Sequence, residues 1–206
     1  MLEKRREAYR ESLRGEILDA ARQLFSRHGY EQTSVRAIAA KVGASPGILY
    51  HYFDDKEAIM AQLVRETFRL LMARLEAIRT DSAPAPDRLR RGLRAYIDFG
   101  LQFPFHYEML FISKHDLESH PKILEAFMSE GMQTFGCLES MSQEIIALNL
   151  ARPEIKDFQE LAQTLWASIH GMVSLQISSK TFPWVEQNRL IERQLDVLLH
   201  GVLRRG

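Results

Sequence analysis

The chain of 206 residues contains one cysteine, Cys137. A single thiol excludes an internal disulfide and leaves no cysteine cluster for a metal; such usage fits a reducing cytoplasm. No run of about 18 apolar residues occurs, so no segment suits a membrane-spanning helix. The opening MLEKRREAYR has no apolar stretch of the kind a secretory signal requires. An excess of one charge sign is also missing, with 27 Lys/Arg against 27 Asp/Glu. The distribution is slightly uneven: residues 1–56 hold ten basic and eight acidic side chains, and the rest hold seventeen and nineteen. That asymmetry is too small to argue by itself for a polyanionic partner. Strand-like alternation never lasts more than a few residues. Internal repeats and low-complexity tracts are absent. So are a nucleophile elbow, a phosphate loop and an HExxH pair, and neither enzyme activity nor a cofactor is expected. His106, His115 and His120 are spaced by nine and five residues and do not stack on one helix face, so no metal site is expected either.

Helical spacing, by contrast, runs almost throughout. Leu13, Ile17, Ala20, Ala21, Leu24 and Phe25 step by three and four along a first amphipathic helix. His28-Gly29 ends it, with the glycine as a left-handed cap. Thr33 reads as the N-cap of a short helix carrying Val35, Ile38, Ala39 and Val42, which Gly43 terminates. Ser45 caps the next helix, and Pro46 sits in its first turn, where a missing N–H costs nothing. Asp54 with Glu57 resembles a capping box, and a long helix follows to Arg79, about 37 Å at 1.5 Å per residue. The stretch TDSAPAPD (residues 80–87) reads as a loop. Beyond it, helices are expected near 87–102, 105–113, 121–148, 154–179 and 184–204. The fold class is all-α with about nine helices. Residues 1–54 form a small three-helix domain, 55–79 a connecting helix, and 80–206 a helical bundle.

Helix, glycine-containing turn, second helix: residues 33–53 have a helix-turn-helix pattern. On a wheel of the short second helix, Leu49 and Phe53 share one side, flanked by Ser45 and Tyr52. Gly47, Tyr50 and His51 fall on the other. The first pair can anchor the helix to a small core. The second set suits a DNA groove, with glycine allowing close approach and Tyr and His donating hydrogen bonds to phosphates.

The segment ARQLFSRHGYEQTSV, the turn VGASPG, the LYHYF helix and Lys56-Glu57 together resemble the DNA-binding segment of the tetracycline-repressor (TetR) family of bacterial transcriptional regulators. The resemblance covers residues 10–63 in motif detail. LWASIHGMVSL (165–175) is similar to the Trp-x-x-x-His-Gly pattern of one group of TetR ligand domains. The resemblance implies that Thr33 binds a phosphate at the start of the second helix and that Arg36 reaches a base or a phosphate. Ser45, Pro46 and Gly47 would lie at the groove floor. Tyr50, His51 and Lys56 would contact phosphates. The family often has His immediately before the final Phe; here Tyr52 stands there and His51 precedes it, so that contact falls to either. The implied protein is a cytoplasmic, bacterial, ligand-responsive repressor that binds a palindromic operator as a homodimer. The alternative is a helical small-molecule-binding protein without DNA-regulatory activity.

The N-terminal Lys4, Arg5, Arg6, Arg10 and Arg14 alternate with Glu3, Glu7 and Glu11. This pattern fits either a solvated helix stitched by ion pairs or a basic arm reaching DNA. DRLRRGLR (87–94) reads as a solvated or interdomain face. The C-terminal part is rich in soft and aromatic side chains: Phe99, Phe103, Phe105, Tyr107, Met109 and Phe111, then Phe127, Met128, Met132, Phe135 and Met141, then Trp166, His170 and Met172. Together they suit an adaptable apolar cavity for a mostly apolar effector. The candidate lining is Phe103, Phe111, Phe127, Met132, Trp166 and His170. His170 is either packed at a close helix crossing beside Gly171 or a polar handle in the cavity. Phe68 and Met72 of the connecting helix are expected to face it. Apolar stripes on the last two helices offer a dimer surface in the form of a four-helix bundle.

Overall fold

A computed structural model describes residues 2–112 and 117–204. Among them are nine α-helices and no strand, apart from an isolated antiparallel bridge between Ala151 and Leu203. In order these are α1 Leu2–His28, α2 Val35–Lys41, α3 Pro46–Tyr50, α4 Lys56–Arg79, α5 Ala85–Gln102, α6 Pro104–Tyr107, α7 Pro121–Ala147, α8 Phe158–Ser178 and α9 Gln187–Val202. The helix expected over 105–113 is instead the short α6, continued by a π-turn over Glu108–Ile112; residue 113 lies outside the described residues. Further on, Asp157 caps α8 by accepting from the N–H groups of Gln159 and Glu160, so this helix starts at Phe158 and not at 154. Glu186 does the same for α9. Each of these carboxylate caps fixes its helix start by satisfying two otherwise orphaned donors.

Two compact units result, and they interleave along the chain. The first takes the chain up to Thr67 and the described part of Tyr107–Ser129; the second takes Phe68–His106 and the chain from Glu130. In the first unit, Ile17, Ala21 and Phe25 of α1, Ile38 and Ala39 of α2, Leu49 and Phe53 around α3, and Ile59, Met60 and Leu63 of α4 are buried together. Gly29 and Gly43 hold φ of +82° and +69°, left-handed values that side chains rarely adopt, and each ends a helix. Ser34, not Thr33, caps α2: its Oγ accepts from Ala37 N at 3.1 Å. The Thr33 hydroxyl is turned inward and donates to the Gly29 carbonyl at 2.8 Å.

The start of α4 also differs from a capping box on Asp54. Asp55 supplies the cap, its Oδ1 accepting from Ala58 N at 2.7 Å. Glu57 caps another helix altogether: its Oε1 accepts from Lys122 N at 2.6 Å and Ile123 N at 3.4 Å, at the beginning of α7. The N-terminal basic residues continue α1 as an exposed helix. No ion pair joins Lys4, Arg5, Arg6, Arg10 or Arg14 to Glu7 or Glu11, contrary to the stitched pattern the spacing suggests. Such exposed pairs stabilise by only ~0.3–0.5 kcal/mol, little against side-chain entropy.

In the second unit α5 packs on α8 and α9. Of the four arginines of 87–94, Arg91 is exposed and the other three are half-buried, and all four are paired. Arg90 binds Glu192 and Asp196, Arg94 binds Asp98 and Glu192, Arg91 binds Asp81, and Arg88 binds Glu144 and the Arg79 carbonyl. Phe68 of α4 is buried against Gly131 of α7, where an added Cβ would lie 3.1 Å from the ring. Met72 Sδ lies 3.5 Å from the Cys137 thiol.

Candidate functional site

The short helix α3 owes its place to two side chains. Leu49 is 1% exposed and Phe53 7%. Five residues cannot sustain a helix through backbone bonds alone, so burial of these two anchors holds it. Its opposite face is open: Gly47, Tyr50 and His51 are exposed, Tyr50 by 54%. Ser45 occupies the N-cap position with extended backbone, makes no side-chain cap bond and is exposed; Pro46 follows at the first turn. A Cβ on Gly47 would meet only Ser45 Oγ, at 3.8 Å. The fold itself therefore does not require glycine there, and any need for its small size comes from whatever approaches the helix.

Around this face, Arg36 is exposed on α2 and Lys41 at its end. Lys56 is half-buried. Its Nζ donates to the Tyr30 carbonyl at 2.9 Å and lies 4.1 Å from the Tyr30 ring centroid, leaving two of its three protons for another partner. Burial, followed by the nearby Glu57, Glu31 and Asp55 carboxylates, pushes the Tyr30 phenol up to about 12, so it stays neutral. Thr33 stands apart from the exposed set, being only 4% exposed. Seven of the eight residues singled out, Arg36, Ser45, Pro46, Gly47, Tyr50, His51 and Lys56, thus retain solvent-accessible surface in the first unit. Ser34 and Lys41 join them; the reading of the sequence missed both, although a Ser beside Thr33 was signal enough for the first. The Arg14 guanidinium lies 5.2 Å from the Phe53 ring centroid and covers one anchor.

The candidate effector residues divide between the two units. Phe111 meets Tyr107 at 4.9 Å and Phe127 at 6.0 Å between centroids, all in the first unit. In the second, Phe103 contacts Phe99 and His106 and lies under the Arg74 guanidinium. Met132 is 55% exposed on α7. Trp166 and His170, one turn apart on α8, have ring centroids 5.4 Å apart, and Phe135 meets Trp166 edge-on at 5.7 Å. Tyr96 of α5, absent from the sequence-based set, joins them. Its OH accepts from Trp166 Nε1 and lies 3.1 Å from His170 Nδ1; Ser174 Oγ lies 3.3 Å from His170 Nε2. A neutral imidazole can accept the phenol proton at Nδ1 and donate from Nε2 to Ser174 Oγ. Burial lowers the His170 pKa and favours that neutral form. No close helix crossing surrounds Gly171, since an added Cβ would meet nothing within 4 Å. His170 is instead tied laterally to α5.

Among the described residues no group of His, Cys, Asp and Glu could hold a metal ion; His115 lies outside them. No described helix is long and apolar enough to cross a membrane.

Residues 17–63 match the family described as bacterial regulatory proteins, tetR family, and residues 89–198 match the tetracyclin repressor-like C-terminal domain. The HTH-type transcriptional repressor AcnR of Corynebacterium diphtheriae is 47% identical over 53 residues, 26% of this chain and 28% of that protein. The chain therefore matches under a third of this relative's length, confined to one segment. The fatty acid metabolism regulator protein of Bacillus subtilis is 28% identical over 160 residues, covering 73% of this chain and 81% of that one. Among solved structures, FadR from Bacillus subtilis in complex with stearoyl-CoA has a TM-score of 0.75 at 22% identity, covering 90% of this chain and 97% of that one.

Proposed function

Because the chain belongs to the tetR family of bacterial regulatory proteins, we propose that it is a ligand-responsive transcriptional repressor of the bacterial cytoplasm rather than an enzyme. Residues 1–54 read DNA, 55–79 connect, and 80–206 bind the effector and dimerise. The observation that carries the reading is the two-sided α3: Leu49 and Phe53 are buried while Gly47, Tyr50 and His51 stand open to a partner. A homodimer formed through α8 and α9 presents two such helices to a palindromic operator about one duplex turn apart. Gly47 lets the backbone approach the groove floor beside Ser45 and Pro46. Tyr50, His51 and Lys56 hold phosphates, and Arg36 reaches a base edge or phosphate. At the start of α2 the inward Thr33 supports the turn, and the exposed Ser34 and its neighbouring N–H groups meet the phosphate.

The effector is a mostly apolar molecule. A long-chain fatty acyl thioester is the class favoured by the name of the Bacillus subtilis relative and by the stearoyl-CoA of the similarly folded FadR. In the second unit Phe103, Met132 and Trp166 supply apolar contacts, and His170, held neutral, the polar one. Occupancy shifts DNA affinity only if the effector prefers one of two arrangements. The 24-residue α4, about 36 Å long, contributes to both compact units and is the natural lever.

Fluorescence anisotropy with duplex DNA from upstream of the chain's own gene tests this. The parent should bind, and stearoyl-CoA should release it. Tyr50→Phe should weaken binding about fivefold on any sequence, as one lost phosphate hydrogen bond of ~1 kcal/mol. A parent that binds stearoyl-CoA but no DNA would favour the ligand-binding protein without regulatory activity.

A further inference from the structure

We infer that His120 and Lys122, at the start of α7, are positioning residues for the DNA contact made by Lys56. This inference rests on the DNA reading above. Lys56 is flanked in sequence by Asp54, Asp55 and Glu57, three carboxylates that would repel a phosphate brought to the foot of α4. Lys122 answers them from the other side. Its Nζ lies 2.7 Å from Asp55 Oδ2 and 4.0 Å from Asp54 Oδ2. Its backbone N–H donates to Glu57 Oε1, which also accepts from Ile123 N. The two carboxylates on either side of Lys56 are therefore held by one residue of α7, one through the side chain and one through the main chain. The Glu57 charge is also placed at the positive end of α7.

His120 acts on the other side of the lysine. The Lys56 ammonium rests on the face of the Tyr30 ring and on the Tyr30 carbonyl. That ring is set between Phe25, at 5.4 Å, and His120, which meets it edge-on at 5.0 Å. His120 in turn reaches Glu31, its Nε2 lying 3.3 Å from Oε1. A flexible lysine thus has its ammonium located by a ring that α7 helps to hold. All of these contacts lie within the first compact unit. The beginning of α7, a segment remote in sequence from the helix-turn-helix, thereby sets both the position of the phosphate-binding cation and the potential around it. Any displacement of this segment by an effector would loosen the cation without touching α3.

The test is a double-variant cycle read in operator affinity and its salt dependence. His120→Ala should weaken binding about threefold to tenfold and lower the log–log salt slope by about one, the effect expected of Lys56→Ala itself. In the Lys56→Ala background it should have no further effect, and His120→Phe, which restores a ring edge, should recover most of the parent's slope. A purely structural role would shift the melting temperature without this coupling. Lys122→Met, which keeps the N–H bond to Glu57, should also weaken binding, and Asp55→Asn should restore it in that background. The Lys122 and Asp55 variants carry the test should His120→Ala fail to fold. Multiplicative effects of His120→Ala and Lys56→Ala, or no recovery by Asp55→Asn, would overturn the inference and leave the DNA reading standing. A parent that binds no operator would overturn both.

Discussion

Leu49→Ala isolates the physical basis of the reading helix. The α3 segment has five residues, too few for its hydrogen bonds to repay nucleation. It holds its shape because Leu49, 1% exposed, and Phe53 are buried beside Ile38 and Ala39 of α2. Truncating a buried leucine costs about 2–5 kcal/mol, the removed transfer energy plus the cavity left behind. For a helix held by two anchors, that loss is larger than the backbone can absorb. The expected outcome is local melting of residues 46–53, with faster amide exchange there and loss of operator binding. The α5, α8 and α9 core of the second unit should keep its protection, since Leu49 is not part of it. Ile48→Ala is the control: Ile48 is 39% exposed, and its truncation should cost within about 0.5 kcal/mol of stability. Hydrogen exchange with mass spectrometry on both variants, alongside operator titrations, reads the difference. Equal protection of 46–53 in Leu49→Ala and Ile48→Ala would refute the two-anchor account.

Three further expectations concern the second unit. Burial lowers the His170 pKa, so as pH falls below the ordinary histidine value of about 6.5 the unfolded chain takes up this proton first and stability drops. Urea unfolding between pH 7.5 and 5.5 should show that loss, and His170→Phe should flatten it, by at most about 1.4 kcal/mol per pH unit. Burial, with Glu76 adding to it, pushes the Cys137 thiol up to about 11, so the native protein should react with a disulfide reagent at pH 8 far more slowly than the urea-unfolded chain. Comparable rates would place the thiol at the surface. Met72→Trp enlarges a side chain in contact with Cys137, and should change operator affinity or the response to stearoyl-CoA while leaving α3 untouched. A variant that folds, dimerises and behaves like the parent in both titrations would rule out α4 as the lever.

Local chemistry alone determined a large part of this protein. The three-to-four spacing of apolar residues specified helices throughout, because that period matches the turn of a helix and not the alternation of a strand. Gly29 and Gly43 marked helix ends because left-handed backbone excludes most side chains. The wheel of α3 separated Leu49 and Phe53 from Gly47, Tyr50 and His51, and burial follows the same division. Tertiary structure decided what depends on partners distant in sequence. Thr33 and Ser34 both suit a cap; the turn back to the Gly29 carbonyl assigned Thr33 inward and left the cap to Ser34. Glu57 had the spacing of a local capping box, but the start of α7 stands near enough to claim it. The arginines of α5 read as a solvated or interdomain face, and the carboxylates that pair Arg88, Arg90 and Arg94 come from α7 and α9. Tyr96 carried no signal at all, since its bonds to Trp166 and His170 exist only where α5 lies against α8. Periodicity specifies which face of a helix is apolar, but the partner that covers it, and the polar groups that meet across the seam, are set by the packing of helices far apart in the chain.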